Sequence, residues 1–190
     1  MKKRLLLALP LLFACAAASL PAAAAEAKPP AAPQSAEFKE IDWEELVPKG
    51  WNPLEHFKDM DLGMLSDSSP RVLEAMRELR QIWDTAPTNS EMDGTRIKLP
   101  GYVVPLEQVK GELKEFLLVP YFGACIHSPP PPANQIIHVI ADKPVKGFRT
   151  MDTVWVSGTL KTFRQDSAMG TSGYRMQAVV IDRYEPPAQR

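Results

Sequence analysis

The residues most able to do chemistry lie in one short stretch of the chain. Cys125 and His127 are separated by a single residue, and four consecutive prolines at 129–132 follow them. A thiolate and an imidazole are soft and borderline ligands that suit Zn²⁺ or copper. His138 comes next along the chain as a third candidate ligand, so the stretch predicts a metal site.

Three ligands leave one position of a tetrahedral site open. Water, His56 from an earlier segment, or a carboxylate such as Asp142 would fill it. The spacing is not that of a zinc finger, and two other interpretations stay open. In one, Cys125 is a buried inert thiol beside structural histidines. In the other it is a nucleophile, which needs a base within hydrogen-bond reach. The motifs of serine hydrolases, zinc proteases and phosphate-binding loops are absent from the sequence, so an enzyme is not the favoured interpretation.

The four prolines predict a stiff segment beside these ligands. Proline fixes φ and has no N–H donor, so a run of prolines holds a polyproline II rod that loses little entropy on ordering. Such a rod would hold a ligand loop in place. It would equally serve as a rigid surface on which a partner protein docks.

Residues 1–25 predict an export signal. Lys2, Lys3 and Arg4 precede an apolar run, and the alanines at 23–25 offer a small-residue cleavage pattern. The alternative is a lipoprotein in which Cys15 becomes the acylated first residue. Either route predicts a periplasmic protein of a Gram-negative bacterium, peripheral to the membrane if Cys15 is lipidated. Cys125 then has no disulfide partner within the chain, although cysteines usually pair in an oxidising compartment.

The charge of the chain excludes one class of function. The sequence has 22 basic and 23 acidic residues, and removal of the signal takes three basic ones, which leaves 19 against 23 and a formal charge of −4. Nucleic-acid binders present a basic face. We therefore do not expect the mature chain to bind nucleic acid.

Composition and helix signals predict two segments before residue 96. Residues 26–37, rich in alanine and proline, predict a flexible linker, and residues 38–95 predict a helical arm packed on the main domain. Within the arm, Ser69 and Pro70 mark a helix start, and Pro87 ends this helix by Ala86 at the latest.

The remaining residues, 96–185, have the composition of a β domain. Stretches rich in β-branched and aromatic residues predict five strands, at 97–106, 115–122, 135–141, 153–162 and 174–184. The predicted fold class is mainly β with an N-terminal helical arm, built as a small five-stranded OB-like barrel. Strict OB topology is not predicted, because the usual helix between the third and fourth strands has no counterpart here.

The chain also resembles a known family of exported bacterial proteins. Residues 101–106, 116–120, 123–127 and 129–135 resemble the domain of unknown function 3299, and the likeness extends from about Ile41 to Tyr184. Members of that family are often encoded beside ABC transporters of the lipoprotein-release or macrolide-export type, in some bacteria under zinc-responsive control. The resemblance implies a role in metal homeostasis and carries over only Cys125 and His127 as ligands. His138 and His56 are proposed on chemistry alone.

Three functional hypotheses follow, in this order. The first is a periplasmic metal-binding accessory protein that holds zinc, or alternatively copper, through Cys125, His127, His138 and more weakly His56, and that works with an ABC-type transporter. The second is a binding module without metal that docks on such a transporter through the prolines. The third is a thiol-dependent enzyme.

Overall fold

Five long strands close into a barrel. The structure is a computed structural model that describes residues 38–59, 66 and 68–184. The strands are β1 (Lys39–Glu40), β2 (Arg96–Val109), β3 (Glu112–Val119), β4 (Ile137–Val145), β5 (Thr153–Ser167) and β6 (Gly170–Arg183), and the one α-helix among these residues is α1 (Pro70–Asp84). The expected export signal, the linker and Cys15 lie outside the described residues.

The strand order closes the sheet on itself. Strand β2 pairs antiparallel with β3 and with β5, β3 pairs antiparallel with β4, and β5 pairs antiparallel with β6. Strands β4 and β6 form a parallel pair. The cycle is therefore β2–β3–β4–β6–β5 and back to β2, with the two-residue β1 added to β2. The expected mainly-β fold with a small five-stranded barrel is confirmed.

The connectivity is closer to an OB-fold than the sequence predicted. A five-stranded Greek-key barrel with one parallel pair, between its third and fifth strands, is the arrangement of that fold. The helix is in a different place, because α1 precedes the barrel and a short connection joins β4 to β5. The strand order of the OB-fold is therefore present without the helix that usually lies between those strands.

The barrel interior is filled by alternate residues of every long strand, as expected for strands with one buried face. Its buried members include Leu99, Val103, Phe116, Leu118, Val139, Val156, Leu160 and Met176. Strands β5 and β6 approach so closely at Gly158 that a Cβ there would lie 2.2 Å from the Gln177 carbonyl oxygen. Glycine is therefore required at the point where the pairing of β5 and β6 shifts register.

The arm is joined to the barrel by a buried tyrosine. The Tyr174 hydroxyl donates to the Leu46 carbonyl oxygen at 2.6 Å and accepts from the Asn89 amide at 2.6 Å. The two segments that it contacts lie on either side of α1 in sequence. One buried group of the barrel therefore fixes both ends of the arm.

Helix α1 begins and ends where the sequence places it. The Ser69 side chain accepts from the Val72 amide at 3.3 Å, Pro70 occupies the first turn, and the helix stops at Asp84, before Pro87. No helix in the described part of the chain is long and apolar enough to cross a membrane. The guanidinium of Arg80 donates to the Pro130 carbonyl oxygen at 3.4 Å, which links the helix to the connection between β3 and β4.

Candidate functional site

The connection between β3 and β4, residues 120–136, packs on the outer wall of the barrel. We call it the proline loop. Outward-facing Val104, Leu117 and Val119 form a second apolar cluster with Ala124 and Ile136 of the loop. Cys125, Met151 and Met169 border this cluster and are partly buried. The loop that holds the predicted ligands is therefore anchored by its own apolar contacts with the barrel wall.

The turn around Cys125 is closed by a single carbonyl group. The Gly123 carbonyl oxygen accepts from the amides of Ile126, His127 and Ser128 at 3.3, 2.9 and 3.1 Å. Gly123 has φ +85° and Cys125 has φ +66°, so both lie in the left-handed region. That conformation is uncommon for a residue with a side chain and persists only where the surroundings enforce it. Backbone hydrogen bonds to Gly123 therefore hold this turn.

Burial changes the acidity of the thiol. Burial raises the pKa of Cys125 to about 11, although the nearby Arg80 guanidinium acts in the opposite direction. Burial, and secondly the charge of a Cys125 thiolate, also raise the pKa of Tyr121. The thiol is the free cysteine of the described residues and stays protonated near neutral pH. A reactive thiolate needs the opposite shift, so the nucleophile hypothesis loses support.

The predicted ligands lie in three different places. His127 is exposed on the same turn as the half-buried Cys125, while His138 is 2% exposed within β4. His56 lies in the arm, with its Nε2 3.4 Å from Glu78 Oε2. The carboxylate of Asp142, the suggested fourth ligand, accepts a hydrogen bond from Gln177.

The structure therefore brings together two of the predicted ligands. Cys125 and His127 share one turn, and within residues 38–59, 66 and 68–184 no three His, Cys, Asp or Glu side chains gather as a metal-binding group. The predicted set of three or four ligands from this chain has no structural counterpart in that part of the molecule.

His138 belongs instead to a polar network on the barrel wall. Its Nδ1 lies 2.9 Å from Gln165 Oε1 and its Nε2 lies 3.0 Å from Glu115 Oε2. Gln165 Oε1 also accepts from the guanidinium of Arg175, which fixes the orientation of the amide. Both ring nitrogens of His138 therefore have a hydrogen-bond partner within the barrel wall. In this arrangement neither nitrogen is free to bind a metal ion.

Sequence reasoning missed the partners of His138. Glu115 lies on β3, Gln165 on β5 and Arg175 on β6, and only the strand register brings them together. His138 is paired with Leu117 on one side and with Arg175 on the other. The sequence did offer one signal. His138 has apolar neighbours in its strand, so a buried ring there would need hydrogen-bond partners.

Sequence reasoning also passed over three apolar side chains of the proline loop. Tyr121, Phe122 and Ile126 are 43%, 66% and 37% exposed, and we call them the loop surface. The Phe122 ring contacts Tyr102 edge to face at a centroid distance of 5.9 Å. Three large apolar residues in one turn of a loop were the available signal, because such groups rarely stay in solvent without a partner.

Comparison with known proteins finds relatives of the whole domain. The family model described as "Protein of unknown function (DUF3299)" matches residues 43–183, which include α1 and all five long strands. The crystal structure of a DUF3299 family protein from Pseudomonas aeruginosa PAO1 aligns with a TM-score of 0.62 at 39% sequence identity. The alignment covers 80% of this chain and 99% of that chain. A search of curated proteins found no match.

The His138 network predicts an asymmetry between two histidines. We expect His138→Ala to lower the free energy of unfolding by about 2–3 kcal/mol, because it leaves Glu115 and Gln165 without their shared partner and opens a small cavity. His127→Ala is the matched control and should change it by less than about 0.5 kcal/mol, since that ring is exposed. Urea unfolding measures both. Equal effects would show that the network does not stabilise the barrel.

The raised pKa of Cys125 predicts slow modification of the thiol. Only the thiolate reacts with a disulfide reagent, so the labelling rate should rise about tenfold per pH unit until it levels off near pH 11. The measurement is the rate of labelling, between neutral and alkaline pH, of a chain that begins at residue 26 and therefore lacks Cys15. The same chain in denaturant is the control and should level off near pH 8.5, the ordinary value for cysteine. A plateau below pH 8 in the folded protein would contradict the burial argument.

Proposed function

This chain belongs to the DUF3299 family, and we propose that it serves as a periplasmic accessory protein that docks on a membrane transporter through the proline loop. The observation that carries this proposal is the exposure of Tyr121, Phe122 and Ile126 on a loop that is itself held firmly. Aromatic groups are enriched in the cores of protein interfaces, where they bury large areas at low entropic cost.

Rigidity is the property that distinguishes this loop surface from stray exposed apolar residues. The Gly123 carbonyl closes the turn, the apolar cluster anchors it, and Arg80 of α1 contacts the Pro130 carbonyl from the other side. The tip of the β5–β6 hairpin also packs here, since a Cβ on Gly170 would lie 2.8 Å from Pro130 Cβ. A preorganised surface binds with a smaller entropy loss than a loop that orders on contact.

The sequence supports the kind of partner that we propose. Residues 1–25 have the pattern of an export signal, which would place the protein in the periplasm. The resemblance to a family often encoded beside ABC transporters points to the periplasmic part of such a transporter. The formal charge of −4 expected for the mature chain gives no reason to propose a nucleic-acid partner.

Site-specific photo-crosslinking in cells tests the docking proposal. A photo-reactive amino acid in place of Phe122 should cross-link to the periplasmic part of an ABC transporter, identified by mass spectrometry. The same amino acid in place of Val179, a residue of β6 that is 57% exposed, is the matched control and should not cross-link to the transporter.

Ile126→Ser should lower the cross-link yield from position 122 about tenfold, as removal of an interface anchor does. Val180→Ser, at a site of similar exposure, should leave it unchanged. Equal cross-linking from 122 and 179, or none to a transporter, would overturn the proposal.

Metal binding is the second candidate function, and the shared turn of Cys125 and His127 favours it. These two side chains would hold a zinc ion, or alternatively copper, as a thiolate and an imidazole. They supply half of a tetrahedral set, so water or a partner protein would provide the rest. The raised pKa of the thiol opposes binding, because Cys125 must lose its proton first.

Zinc titration of the mature chain without an affinity tag tests the second candidate. We expect Cys125→Ser and His127→Ala each to weaken zinc affinity, and affinity to fall as the pH is lowered, because protons compete for both ligands. His56→Ala is the control and should have no effect, since that ring lies in the arm beside Glu78. Wild-type affinity no greater than that of Cys125→Ser would exclude this site.

A further inference from the structure

A cleft of about 450 Å³ lies beside the loop surface. It is formed by the turn Trp43–Leu46 of the arm on one side and by the proline loop on the other. Its volume lies within the range of sites that hold a small molecule or one large side chain. The residues that matter for its chemistry are Asp42, Trp43, Glu44, Tyr121, Pro131 and Pro132.

Two hydrogen bonds fix residues that line the cleft. The indole Nε1 of Trp43 donates to the Pro100 carbonyl oxygen at 2.8 Å, which fixes the ring relative to the barrel. Gln135 Nε2 donates to the Trp43 carbonyl oxygen at 2.8 Å, which ties the arm to the end of the proline loop. A ligand would therefore meet walls that are already in position.

The charge of the cleft is negative. The carboxylates of Asp42 and Glu44 are exposed, and neither forms an ion pair with a residue in the described part of the chain. No lysine, arginine or histidine is among the residues that line the cleft. Two unpaired carboxylates beside aromatic rings create a potential that attracts a cation.

Several groups that line the cleft cannot donate to a ligand. Pro131 and Pro132 have no N–H group, and the amide of Gln135 and the indole N–H of Trp43 already donate elsewhere. The groups that line the cleft and could meet a ligand include the carboxylates of Asp42 and Glu44 and the aromatic side chains of Trp43 and Tyr121. A complementary ligand is planar, cationic and rich in donors.

We propose that this cleft receives an arginine side chain from the docking partner. A guanidinium group is planar, donates through five N–H groups, pairs with carboxylates through two parallel hydrogen bonds and stacks on aromatic faces. This inference rests on the proposed docking function, because the loop surface shares Tyr121 with the cleft and would bring the partner to it. The loop surface supplies apolar contact area, and the cleft selects a basic residue next to it.

Peptide binding tests the cleft apart from any transporter. The probe is a blocked pentapeptide with a central arginine, and the control is the same peptide with citrulline, which keeps the shape and removes the charge. We expect the arginine peptide to shift the Trp43 indole N–H resonance with a dissociation constant in the millimolar range, and the citrulline peptide to shift it far less. Equal responses to the two peptides would overturn the proposal.

Conservative variants link this binding to the two carboxylates. Asp42→Asn combined with Glu44→Gln should weaken the arginine peptide about tenfold, since charge-assisted hydrogen bonds are lost without change of shape. Glu107→Gln, at an exposed carboxylate of β2 away from the cleft, is the matched control and should bind like wild type. An unchanged affinity in the double variant would overturn the proposal.

The two proposals fail in different ways. If cross-linking from position 122 reaches a transporter while the arginine peptide gives no response at Trp43, the cleft proposal is wrong and docking stands. If the peptide binds and needs both carboxylates while position 122 gives no cross-link, the cleft binds arginine and the docking surface is wrong.

Discussion

The structure depends on a change of partner within strand β2. Residues Arg96 to Tyr102 pair with β5, and residues Tyr102 to Val109 pair with β3. The exchange occurs next to Gly101, where a Cβ would lie 2.8 Å from Leu118 Cγ and 2.9 Å from the Val119 carbonyl oxygen. Only a residue without a side chain allows β2 to cross so close to β3. Because β2 pairs with both β3 and β5, the sheet closes into a barrel.

Closure determines which surface carries the site. With the interior of the barrel filled by side chains, the outward-facing apolar residues of β2 and β3 need a cover of their own, and the proline loop supplies it. The β5–β6 hairpin reaches the same wall, where Gln165 contacts His138 and Gly170 packs on Pro130. The candidate site is therefore assembled from three connected layers: the barrel wall, the loop on it and the hairpin beside it.

Local signals were enough to predict most of the fold. The five strands and the helix followed from β-branched composition, from the Ser69 cap and from proline, because these preferences act within a few residues. Sequence could not give the parallel β4–β6 pair, which depends on how the barrel closes. The position of the helix was predicted correctly. The missing helix between the third and fourth strands was taken as evidence against OB connectivity, but strand order does not depend on where a helix lies.

Spacing along the sequence predicted only some of the relations between the candidate site residues. Cys125 and His127 do share a turn, as their spacing implied. The ring of His138 is committed to residues from two other strands, and burial raises the pKa of Cys125. Both effects arise from long-range packing, which no spacing along the sequence contains. The contact between the arm and the proline loop has the same origin. Gln135 donates to the Trp43 carbonyl oxygen across 92 positions of the sequence, so only the fold brings the two residues together.

The closed turn at Gly123 has a consequence for how the exposed loop behaves among other proteins. Three successive amides are consumed by one carbonyl oxygen, and the four prolines that follow have no amides to offer. The loop therefore presents little backbone that could add to the edge of a foreign sheet, which is the common route from exposed apolar segments to aggregation. Tyr121, Phe122 and Ile126 remain in solvent without that hazard. A partner therefore has to contact this loop through its side chains, and the shape of the side-chain surface decides which partner binds.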